Sequence, residues 1–403
     1  MKIWYHTLGC KVNQYETEKI RAALESVGYD TAQADEAFDI CILNTCAVTG
    51  DAVSKTRAAI RKARALQPEA FIVITGCSAE LCKGQPYDLA VSMEDKERIP
   101  GLIMERFPIV QRACSPELRE RTRAVVKVQE GCDQFCSYCI IPYLRSRFVC
   151  PAPAETVSEV NGLAEQGFKE IVLTGIRLGS YRSAEGGLDA LIARLLRETP
   201  IQRIRLSSIE AWEITPALLE LFEDPRMAPH LHIPLQSGSA SVLKAMNRPY
   251  SPGEYAALIG TVRSRVDNIG LTTDVIAGFP GETDADFDES CGFIRTMGFS
   301  RMHIFRYSPR KGTRAFGMPG QIDQQTKRRR AHLLSAIAGE MKQAFAEKNA
   351  ALPQQVIFEN RDRHGRLRGY TGNYLEISTL RDCPVNECIT LVPSGAENGE
   401  LIW

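Results

Sequence analysis

The chain has 403 residues, with 49 basic and 49 acidic residues and therefore no formal net charge. That length supports two or three domains with cores of their own, and 44% hydrophobic with 24% charged residues excludes a disordered or fibrous chain. No run approaches about 18 consecutive apolar residues, which excludes a helical membrane span, and neutrality excludes a chain that attracts nucleic acid by overall charge. The N-terminus enters a strand directly, without the apolar stretch of a secretory signal, so a cytoplasmic protein is expected.

In chain order, Ile3 to Leu8 reads as a short strand. Glu16 to Val27 carries Ile20, Ala23, Leu24 and Val27 at helical spacing and stops at Gly28. Phe38 to Leu43 is a second strand, Asp51 to Leu66 a helix closed by Pro68, and Phe71 to Ile74 a third strand. This βαβαβ order predicts a parallel, doubly wound α/β domain. Six strand-like runs separated by helical segments follow: Ala124–Val128, Glu170–Leu173, Arg203–Ser207, His230–Leu235, Gly270–Ile276 and Met302–Tyr307. Six repeats are too few for a closed eightfold barrel and predict an open, partial (β/α)6 one, with functional residues on the loops after the strands. Asp323 to Asn349 reads as one long helix. Short runs at Gln355–Phe358, Tyr374–Ser378 and Cys388–Val392, broken by Gly, Asn and Pro, predict a small C-terminal β-barrel.

Thirteen cysteines are too many to pass over. In a reducing compartment they point to metal or catalytic use, not to a disulfide framework. Cys132-Asp133-Gln134-Phe135-Cys136-Ser137-Tyr138-Cys139 is a Cys-x3-Cys-x2-Cys run directly after a predicted strand. Three thiolates on one tight loop suit three irons of a [4Fe–4S] cube, leaving the fourth iron open. Zinc also takes thiolates, but a structural zinc site needs a fourth nearby ligand and the next cysteine is Cys150.

A second set is spread out in sequence. Gly9-Cys10, Thr45-Cys46 and Gly76-Cys77 each lie just beyond one of the three N-terminal strands. In a parallel sheet those strand ends open on one edge, so Cys10, Cys46 and Cys77 are expected to converge on a metal site. Cys41 and Cys291 read as buried filler; Cys82, Cys114 and Cys150 fit neither pattern, and Cys383 with Cys388 lacks partners.

Charge is unevenly distributed. Arg301 to Arg314 holds five Lys/Arg and no acid, Lys327 to Arg330 is wholly basic, and Arg361, Arg363, Arg366 and Arg368 fall within eight residues. A local surface for a polyanion is expected in the C-terminal quarter.

The Cys-x3-Cys-x2-Cys run with Tyr138 before its last cysteine resembles the radical S-adenosylmethionine (SAM) enzymes. The resemblance narrows to the methylthiotransferase family through Thr7-Leu8-Gly9-Cys10-Lys11-Val12-Asn13-Gln14-Tyr15-Glu16-Thr17, Asn44-Thr45-Cys46-Ala47-Val48-Thr49 and Cys139-Ile140-Ile141-Pro142-Tyr143. Leu206 to Glu210, His232 to Gly238 and Phe279 to Thr283 extend it along almost the whole chain. It implies an N-terminal domain with an auxiliary [4Fe–4S] cluster (residues 1–115), a radical-SAM core with a trailing helix (120–350) and an RNA-binding TRAM domain (351–403). Cys132, Cys136 and Cys139 would then ligate the SAM cluster, and Cys10, Cys46 and Cys77 the auxiliary one. Tyr138 is expected near the SAM adenine, Thr174 and Gly175 at its amino group, and Ser208 and Gln236 at its ribose or carboxylate. In such enzymes SAM chelates the open iron and one electron cleaves it to a 5′-deoxyadenosyl radical. Arg361, Arg363, Arg366 and Arg368 are the expected RNA contacts.

Gly-Cys-Lys-Val-Asn-Gln at residues 9–14 resembles the branch that methylthiolates N6-threonylcarbamoyladenosine at position 37 of tRNA. The isopentenyladenosine branch usually has Gln-Met-Asn after that cysteine, and the branch acting on a ribosomal-protein aspartate usually has Pro-Lys-Asn. Both remain alternatives, as does an RNA-binding protein whose clusters are structural or redox-sensing. The resemblance also implies tRNA and a low-potential flavodoxin- or ferredoxin-type electron donor as partners. Three places depart from the family: Leu144-Arg145-Ser146-Arg147 is shorter than the usual Arg-Gly-x-x-Arg-Ser-Arg, Ile176-Arg177 replaces a common Asn, and Ala211-Trp212 replaces Pro-Asn.

Overall fold

The structure, a computed structural model, describes residues 1–33, 35–109 and 122–403. The N-terminal unit is a five-stranded sheet in which every pairing is parallel. Its spatial order is Asp30–Thr31, Lys2–Thr7, Ile40–Thr45, Phe71–Gly76, Leu89–Ala90. The central strand explains its apolar sequence: Ile40 and Ile42 face a core with Ile20, Leu24 and Ile103, while Cys41 and Leu43 face another with Ala59, Ile60 and Ala63. A strand buried on both faces needs an unbroken apolar run, and each fully buried Ile or Leu contributes about 1.5–3 kcal/mol. Cys41 is thus the buried filler expected of it.

Three details differ from the expectation. The first helix is Lys11–Glu25, starting five residues earlier than its apolar spacing indicated, with Cys10 at its N-cap and no side-chain cap. Sequence offers no start signal there because the usual Ser, Thr, Asp or Asn cap is replaced by cysteine. The central strand is Ile40–Thr45, displaced towards Cys46, and two-residue edge strands too short to read from sequence flank the sheet.

The six strands expected in the middle of the chain all form, as two parallel three-stranded sheets. Arg123–Gln129, Glu170–Gly175 and Arg203–Leu206 make one; His230–His232, Gly270–Ala277 and Arg301–Arg306 make the other. Parallel bridges from Ser208 to His232 and from Ile204 to Met227 join them into one open, partial barrel, over a core that runs beneath both sheets.

The long helix Gln324–Asn349 follows, capped by Asp323, whose carboxylate accepts from the backbone of Gln325 and Thr326. The tail is a six-stranded, mostly antiparallel sheet with Cys388–Leu391 at one edge and Gly395–Glu397 at the other. Among the described residues no pairing closes it into the ring expected from sequence. This sheet is tied to the floor of the partial barrel: Arg205 donates to the carbonyls of Gly372 (2.8 Å) and Thr371 (3.2 Å), and the Tyr374 ring lies 4.4 Å from its guanidinium. The expected boundary at 115–120, and Cys114, lie outside the described residues. Among the described residues no helix is long and apolar enough to cross a membrane.

Candidate cluster and cofactor site

The N-terminal sheet has the order 2-1-3-4-5, so its direction of winding reverses between Lys2–Thr7 and Ile40–Thr45. Ligands of open α/β sheets bind beyond the strand ends at that reversal, and Cys10 and Cys46 lie there, with Cys77 beyond the next strand. The three loops are held by their own backbone. Leu8 N donates to Asn44 O (2.8 Å) and Cys77 N to Thr45 O (3.0 Å). The Asn13 amide donates to both Leu8 O (2.7 Å) and Thr45 O (3.0 Å), stitching the first two loops together. Gly9 has φ 103°. A Cβ there would sit 2.9 Å from the Cys46 sulfur, so only glycine lets Cys46 approach. Cys10 is exposed, while Cys46 and Cys77 are buried. Burial, with the nearby thiols of Cys77 and Cys10, pushes the Cys46 thiol up to about 11.

The second triad sits on the loop after Arg123–Gln129. That loop is closed by the bridge of Glu130 with Val149 and by Cys132 N donating to Arg145 O (3.2 Å). Within it Gln134 N points at the Cys132 sulfur (3.4 Å) and Cys139 N bonds to Cys136 O (3.0 Å). Ser137 fastens it to the barrel, its hydroxyl donating to Ala245 O (2.8 Å) and its carbonyl accepting from Ala315 N (2.7 Å). Burial, reinforced by the neighbouring Cys136 and Cys132, pushes Cys139 up to about 12. Cys10, Cys46 and Cys77 thus lie past adjacent strand ends, and Cys132, Cys136 and Cys139 on one closed loop.

Two arginines reach these sulfurs. Arg248 donates to the Cys136 sulfur (3.5 Å) and is ion-paired with Glu210. Arg145, on the loop of the second triad, donates to the Cys77 sulfur of the first (3.4 Å) and to Asn13 Oδ1 (3.0 Å). A third residue, Gln129, braces the cluster loop: its amide donates to Glu130 O (2.9 Å) and Gly131 O (2.7 Å) and accepts from Arg177 N (2.7 Å). None of these roles is visible in sequence, because each partner is fixed only by the fold. Only the departure from the family pattern around Arg145 marked the place.

The remaining expected residues lie as follows. Thr174 and Gly175 end the strand Glu170–Gly175, and a Cβ on Gly175 would meet the Gln129 side chain at 2.8 Å. Ser208 is exposed just beyond Arg203–Leu206, and Gln236 follows His230–His232 with φ 67°, a left-handed conformation uncommon outside glycine. Tyr138 is partly buried against Met246, Phe279, Tyr307 and Ala315. All four hairpin arginines are exposed: Arg361 ends the strand Gln354–Arg361 and pairs with Asp382 (2.6 Å), Arg363 and Arg366 lie on the turn, and Arg368, in Leu367–Thr371, pairs with Asp362 (3.0 Å). The run Lys327–Arg330 is not a uniform polyanion surface: Lys327 is buried and Arg330 is buried against Glu282 (2.6 Å), so only its middle pair is exposed.

Residues 2–92 match the model of a family described as "Uncharacterized protein family UPF0004", and residues 126–294 that of the radical SAM superfamily. Over 403 residues the chain is 36% identical to the threonylcarbamoyladenosine tRNA methylthiotransferase MtaB of Bacillus subtilis, covering 93% of this chain and 89% of that protein. This chain belongs to the radical-SAM methylthiotransferase family. The MtaB of Thermotoga maritima is 34% identical, covering 92% and 89%. The tRNA-2-methylthio-N(6)-dimethylallyladenosine synthase of Maricaulis maris is 31% identical, covering 90% and 88%. The fold resembles that of the radical SAM methyltransferase TsrM from Kitasatospora setae, with TM-score 0.58 at 15% identity over 78% of this chain and 77% of that one.

Radical-SAM methylthiotransferases use SAM and [4Fe–4S] clusters, typically two. The donor sets here fit such clusters. Each is three thiols, the preferred iron–sulfur ligands. Among the described residues no three His, Cys, Asp or Glu side chains are grouped as for a single bound ion.

Proposed function

We propose that this methylthiotransferase converts N6-threonylcarbamoyladenosine at position 37 of tRNA to its 2-methylthio derivative, in the cytoplasm, with electrons from a flavodoxin- or ferredoxin-type donor. The observation that carries this reading is 36% identity over nearly the full length to a threonylcarbamoyladenosine tRNA methylthiotransferase. Relatives named for dimethylallyladenosine are less similar, at 31% to 33%. Cys132, Cys136 and Cys139 would hold the SAM cluster and Cys10, Cys46 and Cys77 the auxiliary one; the placement of the first set on one closed loop and of the second past adjacent strand ends supports the assignment. When bound, SAM at an open iron would supply radical chemistry, and the auxiliary cluster would carry the sulfur that receives the methyl group.

The chain's own residues prepare that chemistry. Gly9 and Asn13 close the N-terminal loops around Cys46, and Gln129 and Ser137 hold the core loop rigid. Thr174 and Gly175 at the end of one barrel strand, and Ser208 and Gln236 beyond the next two, would orient SAM, and Tyr138 would pack on its adenine. The domains are read as 1–115, 120–350 and 351–403, the last a TRAM-like RNA-binding unit presenting the hairpin arginines.

Nucleoside mass spectrometry of tRNA from a strain lacking the gene tests the reading. The expected result is loss of 2-methylthio-N6-threonylcarbamoyladenosine with accumulation of its unthiolated precursor. Retention of that nucleoside, with loss of the methylthio-isopentenyl one instead, would move the chain to the other branch.

A further inference from the structure

Arg145 occupies a place that the assignment of ligands leaves unexplained. Its side chain is 1% exposed. The short helix Ile141–Leu144 ends at it, so the abbreviated segment after Tyr143 delivers its guanidinium straight into the gap between the two triads. There it donates to the Cys77 sulfur (3.4 Å), Asn13 Oδ1 (3.0 Å), Glu16 (3.0 Å) and Glu130 (2.7 Å), while its own carbonyl accepts from Cys132 N (3.2 Å). One residue thus grips a cysteine of each triad.

The charges around it are uneven. Arg145, Lys96 and Lys127 bring three cations, and Glu16 and Glu130 two carboxylates. Lys96 is ion-paired with Glu16, and Lys127 lies 2.9 Å from Glu130 and 3.6 Å from Glu16. With Lys96 and Lys127 also on the two carboxylates, Arg145 shares Glu16 and Glu130 with them and turns its Nε to the Cys77 sulfur.

We propose that Arg145 is a positioning residue for the N-terminal cluster, donating to the Cys77 sulfur and supplying the positive charge against which that cluster's reduction potential is set. Hydrogen bonds to ligand sulfur and local charge are the protein's levers on iron–sulfur potentials. Because Arg145 rides on the loop of Cys132, the setting of one cluster is built into the mount of the other. The inference rests on the reading of Cys10, Cys46 and Cys77 as cluster ligands.

The test uses the full chain with Cys132, Cys136 and Cys139 replaced by Ala, so that only the N-terminal cluster contributes, reconstituted anaerobically and titrated by redox-poised electron paramagnetic resonance alongside iron analysis. Arg145→Gln should retain iron and shift the midpoint potential to a more negative value, and Arg145→Lys should recover most of that shift. Glu130→Gln, which frees Arg145 from a competing carboxylate, should shift it the other way, and it decides the matter alone if Arg145→Gln fails to hold iron. Unchanged midpoints in iron-replete Arg145→Gln, no recovery by lysine, or an unchanged or negative shift in Glu130→Gln would overturn the proposal. Absence of iron from the triple-alanine background would instead overturn the cluster assignment beneath it.

Discussion

Gly131, between the last strand residue and Cys132, has φ 88°, and a Cβ there would run into the carbonyl of Arg147. An L-residue must therefore either strain its backbone by about 1–3 kcal/mol or push open the loop that Cys132 N and Arg145 O close. Gly131→Ala is expected to lose about half of roughly eight irons per chain, taking four per cube, with far-ultraviolet circular dichroism unchanged. Full iron content in that variant would show that the loop tolerates opening. At this scale the places of the six cysteines in the fold were legible because each lies either in a tight run or immediately past an apolar strand. Arg145, Gln129 and Asn13 were not legible as braces. Arg145 meets Glu16 across 129 residues and Asn13 meets Thr45 across 32, and nothing local in a sequence reports such pairings.

The order of strands and helices was legible because the apolar runs of a parallel sheet are long and continuous, while ends and edges were not. The helix Lys11–Glu25 begins on a cysteine, and the tail's extra strands, such as Gly395–Glu397 and Glu400–Ile402, are three residues each. The strands also carry charge that an apolar-pattern reading passes over. Glu170 is completely buried, 2.6 Å from Arg205 and 3.2 Å from Arg203, on the barrel floor where the C-terminal sheet attaches. Removing one partner of such a group leaves the others uncompensated, so Glu170→Gln should destabilise the protein by about 3–5 kcal/mol, read as a fall in the denaturation midpoint. Asp382→Asn, at the exposed pair with Arg361, should leave it unchanged. Burial alone would raise the Glu170 pKa, but Arg205, Arg203 and Arg123 outweigh it and hold it down to about 2. A carboxylate depressed in the folded state stabilises it above the unfolded value, near 4.3, and less as pH falls towards the folded one. The gap between wild type and Glu170→Gln should therefore be full at neutral pH and narrow between about pH 4 and pH 2. A gap independent of pH would mean that Glu170 is not ionised in the folded protein.

For the whole molecule, a neutral chain that acts on RNA must bind through local surface. Two surfaces compete. One is the hairpin of the C-terminal sheet, where Arg361 and Arg368 already have carboxylate partners while Arg363 and Arg366 stand exposed beside them. The other is the end of the strand Arg301–Arg306 and the loop after it, with exposed Arg306, itself 3.6 Å from Asp51, and exposed Lys311 and Arg314. That loop is tied to the N-terminal unit by Gly50 N donating to Ser308 Oγ (2.9 Å), which sets it beside Cys46. Each phosphate contact adds about 0.7–0.9 to the slope of log K against log salt. If the hairpin carries the RNA, Arg363→Ala with Arg366→Ala should weaken tRNA binding and flatten that slope by about 1.4–1.8, with SAM cleavage in the absence of tRNA unaltered, since neither residue approaches a triad. A slope that stays at the wild-type value would transfer the RNA track to Arg306, Lys311 and Arg314. The polyanion would then enter over the cysteine triads themselves, and the C-terminal sheet would serve chiefly to close the barrel floor through Arg205 and Tyr374.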